Sequence, residues 1–495
     1  MTEVAELDTF VAGPQPDPAA AGAAKPKLSF GALAFYGAGS LVENATNPVL
    51  ALSLFYLSAL CGLSGSQAGF VAMLTLVVDS ACDPLVGSLS DNSRSRHGRR
   101  HPFMLLSLVP IFIAFGLLFS VPMGLSGTPL FVYALVTLFA ARIGLSFFIV
   151  PYMGLGAELS DDYAERSTIV AARVIYSLAV GLVMAVLSAG VFLGGPHGQY
   201  YRPGYTSLAW TAGAIALVGG LIGTVGTLSS RGRLHQAPAD QRTSVANFPV
   251  ELAEVFRNSS FRWLFITCLI FFVSAGAAGA LTLYANSYFW KLFGKQLLPL
   301  GLVAAPAGLL GVFVAGALAG RLEKRTTAMI GLALIGIGQG FPVLFLLGGV
   351  ISLSAAIPTL SVAVVLASIG AAMALIGFQS MMADAADEHE HLFFARREGL
   401  YFAGITTSAK ASSGIGAFIA GVALDLIHFP HGAAATAANA HIPAETIRNL
   451  GLVYGPGAAL FTAIAIVILF GYKLDKAGHA KIREELDERR NASNA

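Results

Sequence analysis

Two aspartates four residues apart, Asp79 and Asp83, stand inside an apolar stretch with Pro84 directly after the second. On a helix that spacing puts both carboxylates on one face. In low dielectric the two cannot both stay ionised unless a cation sits between them or one takes a proton. A site that alternates between loaded and empty is what a cation-coupled carrier requires. Pro84 lacks an N–H and so frees a backbone carbonyl to join the site. A structural pair neutralised by Lys410 or Arg142 is the plainer alternative. Glu43, Arg142, Arg173 and Lys410 also fall in apolar stretches, where a charge costs ~2.5 kcal/mol or more and marks a functional site by default. Lys410 lies too deep to reach an interface and needs a counter-charge, which the aspartates supply. A lysine that trades this partner for an incoming cation is a coupling element.

Arg142 and Arg173 suit an anionic or hydroxylated substrate, or else pair helices structurally. Glu43 and Asn44 sit near Pro48 amid Gly37, Ala38, Gly39 and Ser40, small residues that let helices approach and polar groups project into a cavity. Tyr284 and Tyr288, with Trp290 beyond them, could line a substrate site, although such a stripe also serves packing or an interface belt. No HExxH-like metal triad occurs, and no catalytic residue is assigned.

These residues act only if a scaffold holds them in a membrane, and the composition points to one. Of 495 residues 55% are hydrophobic and 12% charged, with a mean hydropathy of +0.71. Soluble domains carry roughly a quarter charged residues, so an ordinary soluble enzyme, a disordered chain and a disulfide scaffold are excluded. Lys+Arg 30 against Asp+Glu 28 leaves no electrostatic footprint for nucleic acid. A bilayer core needs about 20 apolar residues per helix. Twelve runs qualify, near 29–60, 67–90, 103–124, 129–159, 168–195, 207–229, 260–290, 297–320, 326–350, 354–383, 397–427 and 449–472. Cys61, Cys82 and Cys268 fall in or beside them, which argues against disulfides.

Basic residues set the orientation. With both termini inside, 23 lie in inner segments, four in outer loops (Arg202, Lys291, Lys295, Arg448) and three within spans, which satisfies the positive-inside rule. Residues 1–28 read as a disordered cytoplasmic tail without the basic start and apolar run of a signal peptide. Residues 473–495 read as a charged cytoplasmic helix. A polar linker at 230–259 divides the spans into bundles at 29–229 and 260–472. The halves echo each other: Gly87-Ser-Leu-Ser-Asp91 precedes Arg94, Arg96, Arg99 and Arg100, and Gly316-Ala-Leu-Ala-Gly320 precedes Arg321, Lys324 and Arg325. Acids and arginines cluster again at Glu158–Arg166 and at Asp384–Glu398. Repeats at matching positions suit a two-bundle transporter with a central site. The fold class expected is an all-α membrane protein of twelve transmembrane helices in two six-helix bundles. Asp91, Arg99 and Arg100, with Asp384, Arg396 and Glu398, are expected to gate it, holding the outward-open state through charge pairs that break on opening inward.

The segment from Asp79 through Asp83-Pro84-Leu-Val-Gly87, Asp91 and Arg99-Arg100-His-Pro102 resembles the glycoside–pentoside–hexuronide:cation symporters, the melibiose-carrier branch of the major facilitator superfamily. Tyr36-Gly37-Ala-Gly39, Pro151-Tyr152 through Glu158-Leu-Ser-Asp161 with Arg173, and Asp384-Ala-Ala-Asp387 through Glu398-Gly399 and Lys410 match as well. The resemblance covers all twelve spans and implies the major facilitator fold. It implies that Asp79 and Asp83 bind the coupling cation, that Lys410 is the helix-eleven lysine near it, and that Arg173 is a helix-five arginine at the substrate. Asn44 stands where melibiose-type carriers have a sugar-contacting aspartate. Cys82 replaces an asparagine and Ile149 an acid of the family's cation site, and Met153 replaces a stacking aromatic. Sodium, a hard ion, wants several oxygens, so these departures favour a proton and argue against melibiose itself.

The expected function is cation-coupled symport, by H+ or Na+, of a small organic solute such as a glycoside, by alternating access in an inner membrane. The alternatives are symport of an amphiphile such as a lysolipid, and an intramembrane acid–base enzyme using Asp79 and Asp83. No cofactor is expected beyond the coupling ion. The expected partners are a small-molecule substrate and the lipid bilayer, and the chain is expected to act as a monomer.

Overall fold

The computed structural model describes residues 28–93, 95, 98–160, 162–229, 255–393, 398–436 and 442–494. The tail at 1–28 and the loop at 230–259 lie almost wholly outside the described residues. In lipid every backbone polar group must be bonded within the chain, so long apolar runs fold as helices. Eleven helices among the described residues are long and apolar enough to cross a membrane. Spans two to six are Gly65–Asp91, His101–Leu118, Gly127–Glu158, Glu165–Phe192 and Arg202–Thr227. Spans seven to twelve are Ser259–Phe289, Gly294–Ala319, Lys324–Leu347, Leu353–Phe393, Gly404–Leu426 and Ala444–Leu469.

Two expected boundaries need correction. Span one is not one helix over 29–60 but a stack of Phe30–Gly39, Leu41–Leu50, Ser53–Phe55 and a π-helical turn Tyr56–Leu60. Pro48 lies inside the second segment and has no N–H to return to the preceding turn, and the chain turns at Ala51 and Leu52. Span ten, expected to end at 383, continues as helix to Phe393. Its polar extension is held from outside by the tail helix Lys476–Asn494. His479 Nε2 lies 2.9 Å from Asp387 Oδ2, and Arg489 donates to the His391 carbonyl at 3.2 Å.

Spans one to six pack among themselves, as do spans seven to twelve, giving two six-helix bundles. Span two runs along span eleven and span five touches span eight to join them. Leu28 and the tail helix mark one face, the terminal face. The loops after spans one, three, five, seven, nine and eleven make the opposite, far face. The seam between spans two and eleven is built from small residues: a Cβ on Gly69 would lie 2.8 Å from the Ala417 carbonyl oxygen, and one on Gly414 3.0 Å from Leu76 Cβ. Such residues let two backbones close to contact distance.

The far-face end of that seam carries a latch. Ser64 caps span two in a capping box with Gln67, and Asp425 of span eleven accepts the Gly65 and Ser66 N–H groups at 2.8 Å each. An anion at a helix N-terminus meets both free N–H groups and the positive end of the dipole. Gln199 adds a second tie, donating to the Leu292 carbonyl and accepting from Gly294 N–H, both at 3.3 Å. Span two meets span eleven through Gly65, Gly69 and Leu76 in the far half and through Asp83 at mid-span. The bundles are therefore tied on the far face and at mid-span.

Asp425→Asn should loosen the far-face closure by about tenfold, the equivalent of one charge-assisted hydrogen bond. With native cysteines replaced, Phe55→Cys beneath this closure should then react faster with an impermeant maleimide added from the far side. An unchanged labelling rate would remove Asp425 from the latch.

Candidate coupling and substrate site

Asp79 and Asp83 lie on one face of span two, which presents them to spans four and eleven. Lys410 Nζ reaches Asp83 Oδ2 at 2.6 Å and Asp79 Oδ2 at 3.1 Å. Ser146 of span four donates to Asp83 Oδ1 at 2.6 Å, and its hydroxyl also contacts Asp79 Oδ1. The first bundle thus contributes two acids and a hydroxyl, and the second bundle contributes the cation. Exposure grades across the cluster: the side chain of Asp79 is 4% exposed, Asp83 22% and Lys410 32%. Asp83 and the lysine are thus partly exposed, whereas Asp79 is buried behind them. Breaking a buried pair leaves an uncompensated charge, so Lys410 can leave only when something replaces it.

Sequence reasoning brought Asp79, Asp83 and Lys410 together and missed Ser146. A serine in an apolar helix carries no signal of its own; only its position one turn beyond Arg142 could have marked it. Arg142 lies one turn before Ser146 on span four, beside this cluster and apart from the other expected substrate residues. Its Nε is buried without a hydrogen-bond partner.

Those other residues form a second group, where spans one, four and five meet. Asn44 Nδ2 donates to the Ser40 carbonyl and to Ser177 Oγ, both at 2.9 Å, tying span one to span five. The Arg173 guanidinium contacts Met153 Sδ, and Ser177 Oγ donates to the Arg173 carbonyl at 2.8 Å. Tyr36 stacks on Tyr152 with ring centroids 4.7 Å apart, and the Tyr152 hydroxyl donates to the Tyr36 carbonyl at 2.9 Å. Glu43 is half-buried, and its carboxylate has no hydrogen bond or ion pair among the described residues. Asn47, also unmarked in the sequence, is exposed one turn further along the same segment.

Tyr284 and Tyr288 are not cavity-lining in this conformer, contrary to expectation. They are 0% and 7% exposed and pack with Phe55, Tyr200 and Phe429, at ring distances such as 4.8 Å from Tyr284 to Phe55 and from Tyr288 to Phe429. Tyr288 also donates to the Ala435 carbonyl at 3.2 Å. Their π-helical extension of span seven reaches the far-face junction, where burying large rings between bundles excludes water. They plug the junction between the bundles there.

Of the expected gating residues, Asp91, Arg99, Arg100 and Asp384 each have a partner within their own bundle. Arg99 pairs with Glu158, and Arg100 bridges Asp91 at 2.8 Å and Glu158 at 3.0 Å. Gly154 makes room, since a Cβ there would collide with the Arg100 guanidinium. Asp384 pairs with Lys324 at 2.7 Å, and His479 stands 3.4 Å from it. Arg396 and the Glu398 side chain lie outside the described residues.

A family model described as MFS/sugar transport protein matches residues 29–476. The glucuronide carrier protein homolog of Escherichia coli (strain K12) is 26% identical over 471 residues, covering 94% of this chain and 97% of that protein. The isoprimeverose transporter of Lactiplantibacillus pentosus is 25% identical over 452 residues, covering 89% and 88%. Among solved structures, a bacterial homolog of the human lysosomal transporter Spinster, inward-facing and unoccupied, aligns with TM-score 0.60 at 14% identity, covering 92% of this chain and 100% of that one. The xylose transporter XylE from E. coli, partially occluded and inward open, aligns at 0.56 and 14% identity, covering 91% and 98%. These likenesses establish the major facilitator fold.

Lys410→Met leaves Asp83 without its counter-charge and should destabilise the protein by about 3 kcal/mol, the low end for a buried pair because the lysine is partly wetted. The double variant Asp83→Asn/Lys410→Met should recover most of that loss. Thermal unfolding of the purified protein in detergent checks both, and equal destabilisation of single and double variants would show that the pair is not coupled.

Proposed function

The chain belongs to the MFS/sugar transport protein family, and we propose that it is a cation-coupled symporter of a glycoside or related sugar, with coupling at Asp79, Asp83 and Lys410. One observation carries the reading: a lysine of one bundle is held by two carboxylates of the other, so ion binding and bundle position share a single contact. A cation, a proton or sodium, takes the place of Lys410 on the carboxylates, and the freed lysine no longer ties the bundles at mid-span. Binding of the solute and of the ion then favour each other reciprocally, because each biases the same two-state element.

The substrate side is the polar sector of spans one, four and five. Asn44, Asn47, Glu43 and Arg173 offer donors and acceptors of the kind that hydroxyl groups match, and the Tyr36–Tyr152 stack offers an apolar face. Arg142 belongs with the ion side. The excess of basic residues on the terminal face makes that face cytoplasmic, so the conformer is inward-facing, with the Tyr284–Tyr288 plug toward the outside. Separation of Arg99, Arg100 and Asp384 into intrabundle pairs fits that state, and their exchange across the bundles would accompany outward opening. We assign the protein to a bacterial-type inner membrane, as a monomer, with residues 230–259 as the linker between bundles. The acid–base enzyme reading falls with the family assignment.

Proteoliposome uptake against a panel of glycosides, including isoprimeverose and a glucuronide, with lysolipids as the contrasting class, tests this reading. The expected result is accumulation of a sugar-class solute under an imposed cation gradient. Asp83→Asn should abolish gradient-driven accumulation while leaving membrane insertion intact. Full accumulation by that variant would sink the coupling assignment.

A further inference from the structure

The tail helix Lys476–Asn494 lies along the terminal-face extension of span ten, and none of its side chains enters the coupling or substrate groups. We propose that it is a proton-sensitive strap: two histidines govern its docking, and the docked strap keeps Asp384 paired within its own bundle. The consequence for bundle position rests on the inward-facing assignment made above.

The root of the strap is fixed. Tyr472, 1% exposed, donates from its hydroxyl to the Met381 carbonyl at 3.2 Å, and Arg325 of span nine donates to the Tyr472 carbonyl at 2.9 Å. Asp475 caps the helix by accepting from Gly478 N–H at 2.8 Å, and Glu323 accepts from Lys476 N–H at 3.2 Å. These contacts aim the helix along span ten.

Beyond its root the strap has little hydrocarbon to bury. Gly478, His479, Ile482, Glu485 and Leu486 recur at helical spacing as its least exposed positions, and only Ile482 and Leu486 among them carry apolar side chains. Two aliphatic side chains do not by themselves offset the entropy of ordering a helix, so the polar pairs decide. His479 Nε2 lies 2.9 Å from Asp387 Oδ2 and 3.4 Å from Asp384 Oδ1. His391 Nδ1 of span ten lies 3.5 Å from Glu485 Oε2 of the strap. Each helix thus offers a histidine to a carboxylate of the other.

Histidine changes charge near neutral pH, and the side chains in these pairs are 10% to 39% exposed, so protons reach them. Around His479 stand Asp384 and Asp387 from span ten, Lys324 from span nine, bound to both Asp384 oxygens at 2.7 Å, and Glu323 and Asp475 at the strap's first turn. Around His391 stand Glu485, Lys481 at 4.0 Å from that carboxylate, and Arg489, which donates to the His391 carbonyl at 3.2 Å. A charged His479 makes charge-assisted contacts to two carboxylates, whereas the neutral ring keeps one ordinary hydrogen bond. Docking therefore tightens as pH falls through the histidine range and loosens as pH rises through it. It weakens again only in strongly acid solution, where the carboxylates themselves take protons.

Asp384 links the strap to bundle position. Lys324 and His479 hold it from its own side, and release of His479 leaves it one cation in place of two. A carboxylate so released exchanges partners more readily when the terminal face closes. Acid on that face thus holds the inward-facing state and slows the return to the outward-open one.

Hydrogen exchange of the amides of 476–489 in the purified full chain in detergent, corrected for the intrinsic effect of pH, reads docking. Protection should rise about tenfold from about pH 8 to about pH 6, the gain of a charge-assisted over an ordinary hydrogen bond. The double variant His391→Gln/His479→Gln should lose that dependence, and His479→Lys should keep protection high throughout. Wild-type protection that does not change with pH, or a dependence that survives in the double variant, overturns the proposal. At one fixed pH, with native cysteines replaced, far-side maleimide labelling of Phe55→Cys reads bundle position. His479→Lys should slow it and the double variant should speed it, each severalfold; equal rates would sever the strap from the gate. Labelling that instead rises with His479→Lys would defeat the inward-facing assignment, while the exchange result would still establish the strap.

Discussion

Two carboxylates inside a membrane have to be neutralised, and the structure is arranged around how that is done. The cation nearest to hand for Asp83 comes from the opposite bundle. Lys410 can reach it only if spans two and eleven lie side by side, and they can lie so only where glycine and alanine replace larger side chains along the seam. The ion pair, the small-residue seam and the relative position of the bundles are one constraint seen at three scales. A soluble protein would solvate the same acids, and the bundles would be free of each other.

The far face shows how a closed end is built without covalent ties. Asp425 occupies the N-terminus of span two, where backbone N–H groups have no partner within their own helix, and aromatic rings from both bundles fill the space beneath. Each element is weak alone. Together they exclude water from the far-face junction, while on the terminal face the described charges pair within their own bundles. Asp91 and Glu158 hold Arg100, and Lys324 holds Asp384. The same residue types that satisfy one another within a bundle here have the chemistry to do so across the gap when it narrows.

Much of this was legible in the residues. Helices were legible because lipid forbids irregular backbone, and twelve apolar runs leave little choice of class. The division into two halves was legible in the recurrence of a glycine-led segment followed by basic residues at the ends of spans two and eight. Asp79 and Asp83 were legible from a spacing of four, and Lys410 from lying too deep to reach an interface, so that it needs a counter-charge. The role of Tyr284 and Tyr288 was not legible, since an aromatic stripe looks alike whether it lines a site or packs between bundles. Span one was read as continuous because its apolar content is, although Pro48 and the turn at Ala51 divide it. Ser146 was missed because an uncharged hydroxyl acquires meaning only from what it touches.

The sequence by itself determined the class of the molecule, its helices and the short list of charges that hydrocarbon makes expensive. These depend on composition and on contacts within a few turns, and such information lies along one segment. Which charge answers which was decided by tertiary structure alone. Lys410 meets Asp83 across more than three hundred positions. Ser146 meets both aspartates because spans two and four run parallel in a fixed register. Register between distant helices is set by how ridges and small residues interlock over their whole length, and no local pattern encodes it.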